Sequence, residues 1–262
     1  MPEGTNLLNR IAAVDWLCRI ASRTGIAAAL MIAVLAAQPG FATPPASHTR
    51  DRKVVAKPRP KAVPAEDVTE DPEPMRSEAA NRMIAWVTAA HDNGTLPYVV
   101  IDKPTATLFL FSAKGEFQGY APVLLGVGIG DDSSPGVGAK NLAEIGPAER
   151  TTPAGRFVAK FGKALGRQRV LWVDYTNSVA LHAVITTHKS EHRVERLLSP
   201  TPDDNRISFG CINVGTGFYT KKLRPLLQRK GGVVYILPDT KSLDEVFPRV
   251  RLLPYLTGLA SE

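Results

Sequence analysis

Cysteine is scarce in this chain: 262 residues contain two, Cys18 and Cys211. That count excludes a disulfide-stapled miniprotein and a cysteine-rich zinc module. Excess charge of one sign is also missing. Lys and Arg number 32 against 25 Asp and Glu, a formal net charge of +7, and charged residues make up 22%. The chain as a whole is therefore not a disordered polyelectrolyte. The apolar run at 25–37 (GIAAALMIAVLAA) has 13 residues, short of the ~20 that a spanning helix needs. No internal repeat is visible. What is present, 44% hydrophobic residues over this length, suffices for one domain of ordinary size with appendages.

The first 42 residues have the layout of an export signal. Arg10, Arg19 and Arg23 precede the apolar run, and Gly40-Phe41-Ala42 offers small residues at the −3 and −1 positions of a cleavage site. The alternative is an uncleaved anchor, the only route by which the sequence suggests membrane attachment. Cys18 lies before the apolar run, which does not suit a lipid-modified cysteine. Cleavage leaves Cys211 as the sole mature thiol. In an oxidising compartment such a residue is an inter-chain bridge, a buried inert side chain or a reactive thiol.

Residues 43–75 hold seven prolines, with a basic stretch (Arg50, Arg52, Lys53, Lys57, Arg59, Lys61) followed by an acidic one (Glu66, Asp67, Glu70, Asp71, Glu73). Such a segment cannot bury a core and is expected to be an extended linker. Residues 76–96 form a helical lead-in: Ala80, Met83, Ile84, Val87 and Ala90 recur at helical spacing, and Asn93-Gly94 stops the pattern. From Tyr98 the texture becomes short segments rich in Val, Leu and aromatics, parted by Gly, Pro and Asp turns. The expected fold class is mainly β, a sandwich or barrel with a few peripheral helices, including candidates at 191–198 and 218–229. Residues 97–262 carry 21 basic and 15 acidic side chains, which allows an anionic polymer as partner without requiring one. Nothing calls for nucleic acid.

Three motifs bear on chemistry. Gly126-Val127-Gly128-Ile129-Gly130 has its third glycine one residue too early for a dinucleotide loop, and Gly138-Ala139-Lys140 lacks phosphate-loop spacing. Both are expected to be turn glycines. His188-Lys189-Ser190-Glu191-His192 matches the inverted zinc-protease pattern. Its neighbours Lys189, Arg193, Glu195 and Arg196 make it a charged surface face instead, so no metal is expected.

The third motif is Arg206-Ile207-Ser208-Phe209-Gly210-Cys211-Ile212-Asn213, a thiol in a polar turn leading into an apolar strand. Thiolate, not thiol, is the nucleophile, so catalysis needs a nearby base or positive field. All five histidines precede Cys211, which excludes the papain-like order. His182 alone lies within an apolar strand, SVALHAV, where an imidazole without partner or task is costly. It is the preferred base, with His192 as the alternative.

Those residues resemble a known family. Ser208 to Asn213 is similar to the S-x-G-C-h-[NR] signature of the L,D-transpeptidase (YkuD-type) catalytic domain, which follows a strand ending in His, here His182. Val99-Val100-Ile101-Asp102-Lys103, Thr107-Leu108-Phe109-Leu110 and Thr152-Pro153-Ala154-Gly155-Arg156-Phe157 resemble further family segments, in family order, over roughly 97–240; 241–262 is then a C-terminal extension. Phe209 replaces the His of many members and is expected to pack. The 25 residues between His182 and Ser208 exceed the usual spacing, whereas His192 leaves 15. The long charged insertion 186–205 is expected to form a lid or wall.

The resemblance implies an exported enzyme of the periplasm or cell wall, needing no cofactor, that acts on peptidoglycan stem peptides. Cys211, activated by His182, would attack the third stem residue and expel the terminal D-Ala. The thioester would pass to an amine of another stem, to a lysine of an outer-membrane lipoprotein, or to water. Gly210 and Cys211 N–H groups are the expected oxyanion donors. Ser208 and Asn213 are expected to hold the turn and polarise the site, and Arg206 and Asn213 to bind substrate, Arg206 through a carboxylate. Other readings are an L,D-carboxypeptidase or amidase on the same bond, a sortase-like transpeptidase lacking its T-L-x-T-C strand, and a non-catalytic peptidoglycan-binding module.

Overall fold

The computed structural model describes residues 76–164 and 169–258. The signal and linker expectations, 1–42 and 43–75, lie outside the described residues. Helix α1, Glu78–Ala90, starts where the Ser77 hydroxyl accepts a hydrogen bond from the Ala80 N–H at 3.0 Å, a side-chain cap for an otherwise orphaned donor. It ends at His91, whose backbone is left-handed. None of the described helices is long and apolar enough to cross a membrane.

Eight strands close into a barrel. They are β1 Tyr98–Asp102, β2 Thr107–Phe111, β3 Phe117–Gly126, β4 Gly155–Lys163, β5 Arg169–Asp174, β6 Val179–Ala183, β8 Ile212–Val214 and β9 Gly232–Ile236. Their order is β2-β1-β9-β4-β5-β6-β8-β3, and β3 returns to pair with β2. The short β7, Arg206–Ser208, attaches parallel to the end of β3. Of the two β architectures expected, the closed barrel is the one formed, with few helices around it.

Strand alternation builds two cores. Val99, Ile101, Leu108, Leu110, Leu181 and Val234 point inward with their neighbours on the other strands. The intervening Tyr98, Val100, Phe109, Phe111 and Tyr235 point outward, where α1 covers them with Ala80, Met83, Trp86 and Val87. A period-two strand between two apolar layers loses its polar face, which is why β1 and β2 are buried at every position. Each fully buried Leu or Ile contributes about 1.5–3 kcal/mol. The helix α3 at 216–227 contains a π turn at Tyr219–Leu223 and adds Tyr219, Leu223 and Leu227, four residues apart, to the inner core.

The consequence for function lies at β6 and β8, which run parallel with Leu181 opposite Ile212, His182 opposite Asn213 and Ala183 opposite Val214. Leu181, Ile212 and Val214 belong to the interior. His182 and Asn213 therefore face outward, side by side, on the barrel wall.

Candidate active site

Cys211 sits just before β8, alongside Ala180 and on the same outer face as His182. Ordinary strand dimensions put the two Cα atoms about 8 Å apart, within the combined span of a cysteine and a histidine side chain. The Cys211 Sγ faces the Ser178 carbonyl at 3.7 Å and receives the Ala180 backbone N–H. The residue as a whole is half-buried.

His182 is 8% exposed. Its Nδ1 lies 2.8 Å from the carbonyl oxygen of Ala183. A carbonyl only accepts, so Nδ1 carries the proton and Nε2 of the neutral ring holds a free lone pair. Burial lowers the His182 pKa below its ordinary 6.5, the Ala183 carbonyl partly offsets this, and the Arg193 charge lowers it further. Burial raises the Cys211 thiol above its ordinary 9.0, while the Ala180 N–H and Arg193 pull it back. Both directions favour the uncharged forms, a thiol at Cys211 and a neutral imidazole at His182.

The turn before Cys211 is held from several sides. Ser208 Oγ donates to the Cys211 carbonyl at 2.6 Å and accepts the Gly210 N–H at 3.1 Å. Gly210 has φ +113°, and a Cβ there would meet the Thr151 carbonyl oxygen at 2.7 Å, so only glycine fits. Thr152, fully buried, donates its hydroxyl to the Gly210 carbonyl at 2.9 Å and accepts the Gly126 N–H at 2.9 Å. A trans peptide sets its N–H opposite its C=O; the Thr152 hold on Gly210 therefore also aims the Cys211 N–H. Of the two N–H groups expected to face an oxyanion, that of Gly210 is donated to Ser208 Oγ in this structure.

Thr152 is itself anchored. Its carbonyl accepts from the buried Lys103 ammonium at 2.9 Å, and Lys103 also reaches the Gly130 carbonyl at 2.7 Å, Asp131 at 2.9 Å and Asp239 at 3.2 Å. Asp131 further accepts from the Thr240 hydroxyl and the Lys241 N–H, both at 2.7 Å. Arg206 belongs to this network, with Nη2 at 2.6 Å and Nη1 at 3.2 Å from the two Asp239 oxygens. Both terminal nitrogens of Arg206, the residue expected to hold a substrate carboxylate, are thus engaged by Asp239.

Asn213 Nδ2 donates to the Cys211 carbonyl at 3.2 Å, and its Oδ1 accepts from Arg193 Nη1 at 3.0 Å. Arg193 Nε in turn reaches Glu191 at 2.6 Å. The insertion is tied to the barrel at several points: α2, Arg193–Leu197, buries Leu197, and Asn205 donates to the Val123 carbonyl at 3.0 Å. The H-x-x-E-H segment is no helix, since 189–191 form one 3-10 turn and His192 is left-handed at φ 48°. Among the described residues, no three of His, Cys, Asp and Glu gather as a metal site. His192 is 68% exposed at its side chain and faces Glu195 at 3.9 Å. Phe209 packs under the Arg150 guanidinium, 3.9 Å from its ring centroid.

Sequence reasoning missed Arg193, hidden in a run that looked like a solvated face, and the brace role of Thr152, although the Thr152-Pro153 motif marked the place. The glycines of 126–130 are not all turn residues. A Cβ at Gly126 would meet the Arg150 carbonyl at 2.1 Å, so the backbone next to Thr152 approaches there. No protein-family model matches the chain, and no curated protein matches it.

Proposed function

We propose that this chain is an exported, cysteine-dependent L,D-transpeptidase acting on peptidoglycan tetrapeptide stems. The observation that supports the reading is Cys211, in the S-F-G-C-I-N turn immediately before β8, which pairs with the β6 strand that carries His182, the His182 Nδ1–H being held by Ala183. An eight-stranded barrel that sets both groups on one outer wall suits an extended peptide lying across it.

In the mechanism, His182 Nε2 takes the thiol proton as Sγ attacks the carbonyl carbon of the third stem residue. The oxyanion forms against the Cys211 N–H. Collapse breaks the C–N bond, and the imidazolium returns its proton to the leaving amine of the terminal residue. The remaining thioester is attacked by the amine of a second stem, whose proton passes to Nε2. The new amide forms as Sγ leaves, and the thiol is regenerated. Water in place of the amine gives a shortened tripeptide stem instead of a crosslink.

The test is turnover of purified tetrapeptide muropeptides by mass spectrometry of products. Cys211→Ala and His182→Ala are expected to be inactive while His192→Ala, altered at an exposed surface residue, retains turnover. Turnover by Cys211→Ala overturns the reading. Loss in His192→Ala with activity in His182→Ala reassigns the base.

A further inference from the structure

Arg206, the expected carboxylate receptor, spends both terminal nitrogens on Asp239. Another cation stands where one is useful. Arg193 is 11% exposed at its side chain, fixed by Glu191 through Nε and by Asn213 through Nη1. A guanidinium has five N–H donors in a planar fork. The contacts on Glu191 and Asn213 leave Nη2 without a partner among the described residues.

Its side of the site matters. Asn213, which Arg193 touches, is the register partner of His182, and the Arg193 charge is felt at both the imidazole and the thiol. The base that accepts the thiol proton also protonates the leaving amine, so the leaving residue lies on the His182 side. In a tetrapeptide stem that residue is terminal, and its free carboxylate is one carbon from the amine. A longer stem has a neutral amide at the same place.

We propose that Arg193 is the specificity-determining residue of the site, its guanidinium receiving the terminal carboxylate of the departing stem residue. This rests on the transpeptidase reading and deepens it: the enzyme distinguishes a stem that ends at the fourth residue from one that continues. Glu191 and Asn213 preset the fork, so little freedom is lost when the carboxylate arrives.

The experiment compares kcat/KM for a tetrapeptide stem and for its C-terminal carboxamide. With the unaltered chain, the free acid is preferred roughly 10- to 100-fold, the range of one charge-assisted hydrogen-bonded contact. In Arg193→Met the ratio falls close to one; Arg193→Lys, which keeps charge but not the fork, lies between. Because the quantity is a ratio between two substrates, a purely structural loss lowers both rates and leaves it unchanged. Equal turnover of acid and amide by the unaltered chain, which needs no variant to fold, overturns this assignment and leaves the transpeptidase reading standing. Failure to turn over either stem removes both.

Discussion

Replacing Thr152 by Val keeps the shape of a fully buried side chain and removes only its hydroxyl. Two partners lose their bond, the Gly210 carbonyl and the Gly126 N–H, each at 2.9 Å. A buried group left unsatisfied costs about 1–3 kcal/mol, so Thr152→Val is expected to lose about 2–6 kcal/mol of stability. The midpoint of urea unfolding should fall accordingly with an unchanged slope. The second consequence is chemical. With Gly210 released, the Cys211 N–H is no longer aimed, and kcat on tetrapeptide stems should drop by roughly a hundredfold, the low end of losing an oxyanion donor. Thr152→Ser, which restores the hydroxyl, should recover most of both. A Thr152→Val protein with the original midpoint and turnover refutes the brace. Lowered stability with unchanged kcat in the folded protein refutes the link from Thr152 to the Cys211 N–H while sparing the packing argument.

Two further outcomes follow from charge. His182 must be neutral to act as base, and burial holds its pKa below 6.5, so the acid limb of kcat/KM should fall away only below pH 6.5; a limb above pH 7 contradicts the assignment. Asp131 is opposed by burial, yet the Lys241 and Asp239 N–H groups, the Thr240 hydroxyl and Lys103 hold it well below the usual carboxylate range. Its stabilisation is therefore present above the unfolded-state carboxyl pKa and lost as pH falls through the folded one. Asp131→Asn leaves the buried Lys103 short of charge and should cost about 3–5 kcal/mol in denaturant unfolding near neutral pH, with less acid sensitivity than the original chain.

Much of this was legible in the residues. The short Val- and Leu-rich segments gave the β elements because alternation and turn residues are local properties. The α1 face was readable for the same reason, although Trp86 rather than Ile84 takes a buried place. His182 stood out because an imidazole in an apolar strand asks for a partner, and the parallel β6–β8 register brings it beside Asn213. Long-range pairing was not legible. The pairings of β1 with β9 and of β3 with β8 join segments far apart in the chain, and β7 has three residues, too few to show a period. The Arg206 partner, Asp239, is 33 positions away, and nothing local separates a guanidinium held by Asp239 from one that waits for a ligand. Arg193 was misplaced for the opposite reason: its charged neighbours looked like a water-facing surface until the chain folded Asn213 against it.

The most direct test of the central claim is intact-protein mass spectrometry of the chain mixed with a tetrapeptide stem and quenched in acid, where a thioester survives. The account predicts an adduct equal to the stem minus its terminal residue, located on Cys211, together with the released amino acid, and neither in Cys211→Ala. Stem turnover without any adduct on Cys211, or the same adduct in Cys211→Ala, contradicts it.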